Sequence, residues 1–116
     1  MSQSKSTADK IIQFPDNGGE IHVYDMGDSG TVCSCTFNPG WKWSTHLKPL
    51  LPNSPSSCQM RHVGICTEGC VKILMDDGTW FDINKGDAFS IAPGHDAYCE
   101  ATTKLVDYHK SISDIP

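Results

Sequence analysis

A single all-β domain, built as a barrel or sandwich, is predicted from three observations. Short β-like runs recur between turn signals, no stretch sustains a helical period, and the 116 residues allow one core and no second module. EIHVYDM (20–26) alternates and is bounded by Asn17-Gly18-Gly19 and Gly27-Asp28-Ser29-Gly30. TVCSCTF (31–37) is a second strand, stopped by Asn38-Pro39-Gly40. Strands 61–67 and 70–75 are expected to face each other across Glu68-Gly69, a hairpin-sized loop. Asp76-Asp77-Gly78 is a strong hairpin turn signal between Met75 and Thr79. Runs at 80–83, 88–91 and 105–109 complete the series. The domain is placed at 14–110, with a flexible segment at 1–13 and a tail at 111–116. Segment 50–57, LLPNSPSS, is the one long loop-like insertion, and loops of that kind often edge a functional site.

Composition narrows the function classes. The net charge of −5 leaves no basic face for a phosphate backbone, so no nucleic-acid partner is expected. No apolar run approaches the roughly 20 residues of a bilayer span, so no membrane partner is expected either. The polar, Ser-rich start lacks the apolar segment of a secretion signal, so a cytoplasmic location is expected. In that compartment the six cysteines are expected to be reduced, most of them packed as small core residues. A structural zinc site from Cys33, Cys35, Cys66 and Cys70 is the sharper alternative, although C-x-C and C-x3-C differ from common zinc knuckles.

Two patches carry a spacing with chemical content. Gly40 is followed by WKWST and then His46-Leu47-Lys48; further on, His62-VGICTE-Gly69 spaces a histidine and a glycine by six residues. Gly86-DAFSI-Ala92-Pro93-Gly94-His95-Asp96-Ala97 forms the second patch. These resemble the two motifs of the cupin superfamily, G-x5-H-x-H with E-x6-G, and G-x5-P-x-G-x2-H. The wording PGWKWSTHLKP, HVG, MDDGT and GDAFSIAPGHDA is similar to one bacterial subgroup of small single-domain cupins, across 14–109. The resemblance implies a double-stranded β-helix barrel of the jelly-roll type. It also implies a cavity in which two histidines and a glutamate of the first motif join a histidine of the second around a divalent cation.

This chain keeps a usable donor at only half of the ligand positions. His46 matches the first histidine and His62 replaces the glutamate, whereas Lys48 and Ala97 stand where the family has histidines. His95 arrives two residues early and offers a third donor if its turn aims it inward. The metal set is therefore His46, His62 and His95, for a divalent ion such as zinc, iron, nickel or manganese, with an open position. Cys99 shares a strand face with Ala97 if the strand continues, and with Lys48 it forms the substrate-binding pair. Lys48 makes the cavity mouth positive, which suits a small carboxylate. The function expected is small-molecule binding with a simple metal-assisted reaction, oxygenation or isomerisation. The alternative is a metal-free binding or regulatory module without turnover.

Trp41 and Trp43 have the opposite strand parity to His46 and Lys48, which places the indoles outside the barrel. There they are expected to support a homodimer. His22 and His109 fall in neither motif and are expected to be ordinary surface or core residues. No G-x-S-x-G, G-x4-G-K-[ST], H-E-x-x-H or G-x-G-x-x-G occurs.

Overall fold

The computed structural model describes residues 2–53 and 55–115. Among the described residues, nine strands form two antiparallel sheets. They are β1 (Lys10–Gln13), β2 (Gly19–Asp25), β3 (Thr31–Phe37), β4 (His62–Glu68), β5 (Cys70–Met75), β6 (Trp80–Asn84), β7 (Ala88–Ile91), β8 (His95–Tyr98) and β9 (Thr103–His109). The larger sheet runs β1-β2-β3-β9-β4-β7 and the smaller β6-β5-β8. This is the all-β jelly-roll architecture expected. The sheet begins at Lys10, inside the segment assigned from sequence to a flexible N-terminus, because Ile12 alternates into the core and β1 pairs with β2.

Alternation does most of the positioning. In β3, Thr31, Cys33, Cys35 and Phe37 face the core; in β9, Thr103, Leu105, Asp107 and His109 do the same. Val71 and Ile73 of β5, with Phe89 and Ile91 of β7, close the core from other strands. The turn at Asp76-Asp77-Gly78 joins β5 to β6 as expected, with Gly78 N–H donating to the Met75 carbonyl at 2.9 Å.

The hairpin expected at Glu68-Gly69 does not form. Strand β4 pairs with β7 and β9 in one sheet, and β5 pairs with β6 and β8 in the other. Gly69 is the crossing point: its φ is +75°, and a Cβ there would overlap the Thr102 carbonyl oxygen and lie 2.9 Å from Thr103 Cα. A one-residue link turned the chain between sheets instead of back along one.

The outward placement of the tryptophans is also corrected. Trp41 and Trp43 are 4% and 2% exposed. Trp41 stacks on Phe37 at 4.0 Å between ring centroids and tilts against Phe14 at 5.6 Å. The parity argument failed because the backbone is not extended there: Trp43–Leu47 coil into one wide π-type turn, which cancels strand alternation. Trp41→Ser or Trp43→Ser is therefore expected to cost about 3–5 kcal/mol of folding stability. Denaturant unfolding checks this; a variant that keeps its stability while losing only self-association would restore the outward reading.

All six cysteines are free thiols, five of them buried and Cys70 half-buried. No helix among the described residues is long and apolar enough to cross a membrane.

Candidate functional site

Between the sheets lies a cavity of about 540 Å³, lined largely by apolar side chains including Ile21, Val71, Ile73, Phe89 and Leu105. Leu51, Pro52 and Pro55 of the 50–57 insertion contribute to its wall, as do Ser113 to Ile115. Ser54 of that insertion lies outside the described residues, as do Met1 and Pro116. Ser57 Oγ ties the insertion down by donating to Asp76 Oδ2 at 2.9 Å. Among the described residues no lysine or arginine lines the cavity.

The polar wall is one connected group of side chains. Cys58 is held against His95 by backbone bonds in both directions: Cys58 N–H donates to the His95 carbonyl at 2.7 Å, and His95 N–H to the Cys58 carbonyl at 3.2 Å. The Pro93-Gly94 turn delivers His95 to the start of β8, and Gly94 N–H donates to the Cys58 carbonyl at 2.7 Å. His62 opens β4, and its ring lies 5.4 Å from that of His95 and 5.6 Å from that of His109. One ligand atom each of Cys58, His62 and His95 lies within 4.8 Å of the other two. Cys33, Asp107 and His109 form a second such group.

Hydrogen bonds orient the rings. His62 Nδ1 donates to Asp107 Oδ2 at 3.0 Å, which leaves Nε2 facing Cys58 Sγ at 3.5 Å. His95 Nδ1 donates to the Ala92 carbonyl at 2.9 Å, which frees its Nε2 as well. A carboxylate or carbonyl behind a histidine is the usual way of fixing a metal-binding tautomer. Asp107, 6% exposed, also accepts from His109 Nε2 at 3.2 Å.

Charge is redistributed within this group. Burial opposes ionisation of Cys58, but hydrogen bonds from His62 and His95 outweigh it and bring the thiol down to about 6. Burial likewise opposes charging His62, yet Asp107 and Cys58 raise it to about 9. Asp107 is buried, which favours its neutral form, but His109 and His62 hold its carboxyl below the usual value. In the metal-free protein the result is a thiolate, an imidazolium and a carboxylate in a row. Cys33 stays a neutral thiol, pushed up to about 12 by burial and the Asp107 charge.

Of the sequence-predicted residues, the fold brings His62 and His95 together and places His46, Lys48 and Cys99 off the cavity wall. The wide turn folds His46 back on itself: Lys42 N–H donates to its Nδ1 at 3.0 Å, and a Cβ at Gly18 would lie 2.6 Å from its ring. Lys48 starts a separate 3-10 turn, Lys48–Leu50, so it shares no strand face with His46. Cys99 follows the end of β8, where alternation stops, and burial pushes its thiol up to about 12. Sequence reasoning missed Cys58, Asp107 and His109. A usable signal was present in TKLVDYH: Asp107 and His109 share parity with Thr103 and Leu105, so an alternating strand had to bury both.

No family model matches the sequence, and no curated protein matches it. Solved structures do. The chain is similar to an RmlC-like cupin from Shewanella frigidimarina, at 18% identity and a TM-score of 0.63, over 100% of both chains. It is also similar to an RmlC-like cupin from Desulfovibrio desulfuricans, at 16% identity and a TM-score of 0.60, over 97% of this chain and 100% of that one. KdgF from Halomonas sp. is a third, at 17% identity and a TM-score of 0.55, over 84% of each chain. What these proteins share with this one is the fold. The chain has the fold of these small cupins.

Proposed function

We propose that this cupin binds one divalent transition-metal ion at Cys58, His62 and His95 and receives a small apolar molecule beside it. The observation that carries this reading is the convergence of three donor atoms within 4.8 Å on the cavity wall. Two of the three are imidazoles whose far nitrogens are already engaged. One thiolate and two imidazoles suit zinc, iron, nickel or copper better than manganese. The charges also balance, since the Cys58 thiolate and the Asp107 carboxylate together offset a dication. A bound metal would supply a Lewis acid and a water of lowered pKa.

The chain's own residues do the rest. Asp107 holds the Nδ1 proton of His62, keeping Nε2 as the donor, and the apolar walls exclude bulk water. With no lysine or arginine on the wall among the described residues, and with the His62 charge matched by Cys58 and Asp107, the cavity favours a neutral apolar molecule with one heteroatom over a free carboxylate held by Lys48. The metal decides between the expected reactions: zinc has no redox chemistry, so a zinc centre supports isomerisation and not oxygenation.

A second reading has its own observation. Without metal, Cys58, His62 and Asp107 form a nucleophilic thiolate, its imidazolium partner and an orienting carboxylate at 3.5 and 3.0 Å. Cys58 is then a reactive thiolate toward electrophiles in the cavity. Both readings meet in one measurement. In metal-stripped protein, Cys58 alkylation by iodoacetamide should rise as pH increases through about 6, since the thiolate forms above its folded pKa. Zinc should then block the reaction. Alkylation that zinc leaves unchanged would remove the metal reading and keep the nucleophile.

A further inference from the structure

The structure assigns a second cation site, distinct from the first, to a block of four inward side chains on β3 and β9. In register, Thr31 stands opposite His109 and Cys33 opposite Asp107. Alternation puts all four on the same face, and all four are buried. Directly opposed side chains in an antiparallel pair start only about 5 Å apart at Cβ. Ligand atoms of Cys33, Asp107 and His109 accordingly lie within 4.8 Å of one another.

The independent observation is what this block leaves unpaired. Asp107 spends Oδ2 on His62 and His109, while Oδ1 is buried with no hydrogen-bond partner among the described residues. Thr31 Oγ1 is buried and unpaired in the same way. Native cores rarely leave polar oxygens in this condition, because each unmade bond costs stability. Here two fall within one block, beside a thiol and an imidazole. A thiol, an imidazole and two oxygens form a mixed donor set that suits a borderline cation such as zinc. On binding, the Cys33 thiol gives its proton to solvent and the sulfur takes the cation in its place, while neutral His109 gives up its bond to Asp107 Oδ2 and turns a ring nitrogen without a proton toward the ion. Asp107 Oδ1 accepts the cation while Oδ2 keeps its bond to His62, so the two sites share one carboxylate through different oxygens.

Zinc titration of the full chain, read by equilibrium dialysis with elemental analysis, tests this. Wild type should take up a second equivalent of zinc beyond the first site. Cys33→Ser should lose the second equivalent and keep the first, and His95→Ala should keep the second with the first weakened. Thr31→Val swaps the unpaired hydroxyl for a methyl of the same shape, so folding is retained. It should weaken the second equivalent by about tenfold, the size seen when a supporting group at a metal site is removed. A wild type that saturates at a single equivalent removed by His95→Ala overturns the second site and leaves the first intact. A second equivalent that survives Cys33→Ser, or is equally tight in Thr31→Val, also overturns it.

Discussion

Cys58→Ala is expected to lower metal affinity at the first site by about 100-fold or more while leaving the fold intact. The proposed site has three protein donors, and two donors seldom hold a transition ion tightly. Cys58 also carries one of the two negative charges that offset the ion. Asp107→Asn should weaken the site less, by about 10–100-fold, because it removes the charge behind His62 and not a ligand. His46→Ala should leave affinity at this site unchanged. It should lower stability instead, since His46 is buried, accepts from Lys42 N–H and packs over Gly18. Competition with a metal indicator, paired with thermal unfolding, separates these outcomes. Tight binding in Cys58→Ala, or loss of binding in a folded His46→Ala, would sink the assignment.

Gly64→Ala should be among the most disruptive single-methyl changes at the described glycines. Gly64 lies inside β4, opposite Asp107 on one side and Phe89 on the other. A Cβ there would overlap the Val106 carbonyl oxygen and stand 2.8 Å from Asp107 Cα. Both are backbone atoms, so relief requires β4 and β9 to separate rather than a side chain to rotate. A loss of about 3–5 kcal/mol is expected, which is roughly 15–30 °C in Tm for a domain of this size. Thermal unfolding decides the matter, and a fall of only a degree or two would mean the two strands part easily. Short of unfolding, the shift moves Asp107 from behind His62, so metal affinity should fall with stability.

Local signals were read well from sequence and long-range ones poorly, for a physical reason. β3 appears at 31–37 as expected, and the Asp76-Asp77-Gly78 turn does what its residues dictate. Both depend on neighbours along the chain. The link at Gly69 carries the same local signal as a hairpin, yet its outcome is decided by contact with Thr102 and Thr103, more than thirty positions away. Parity arguments held wherever the backbone is extended, and failed at Trp41, Trp43, His46 and Cys99, where it coils or the strand has ended. Motif spacing pointed to His62 and His95, which the fold brings close together on the cavity wall. It could not locate Cys58, which owes its place to backbone bonds with His95, nor Asp107, whose role is set by strand order.

That strand order has a consequence for assembly. β9 sits between β3 and β4, and among the described residues no other strand bridges those two halves of the larger sheet. Until residues 103–109 insert, β3 and β4 each present a bare edge, and such edges invite pairing with other chains. The thiols of Cys33, Cys35 and Cys66 lie on those same strands and are buried in the closed sheet. Asp107 arrives on the inserting strand, so the tautomer of His62 is set in the same event that seals the sheet. Under the proposed metal reading, selectivity is thus a property of the finished chain: a half-made one offers loose thiols to any soft ion, and the closed one offers an ordered set.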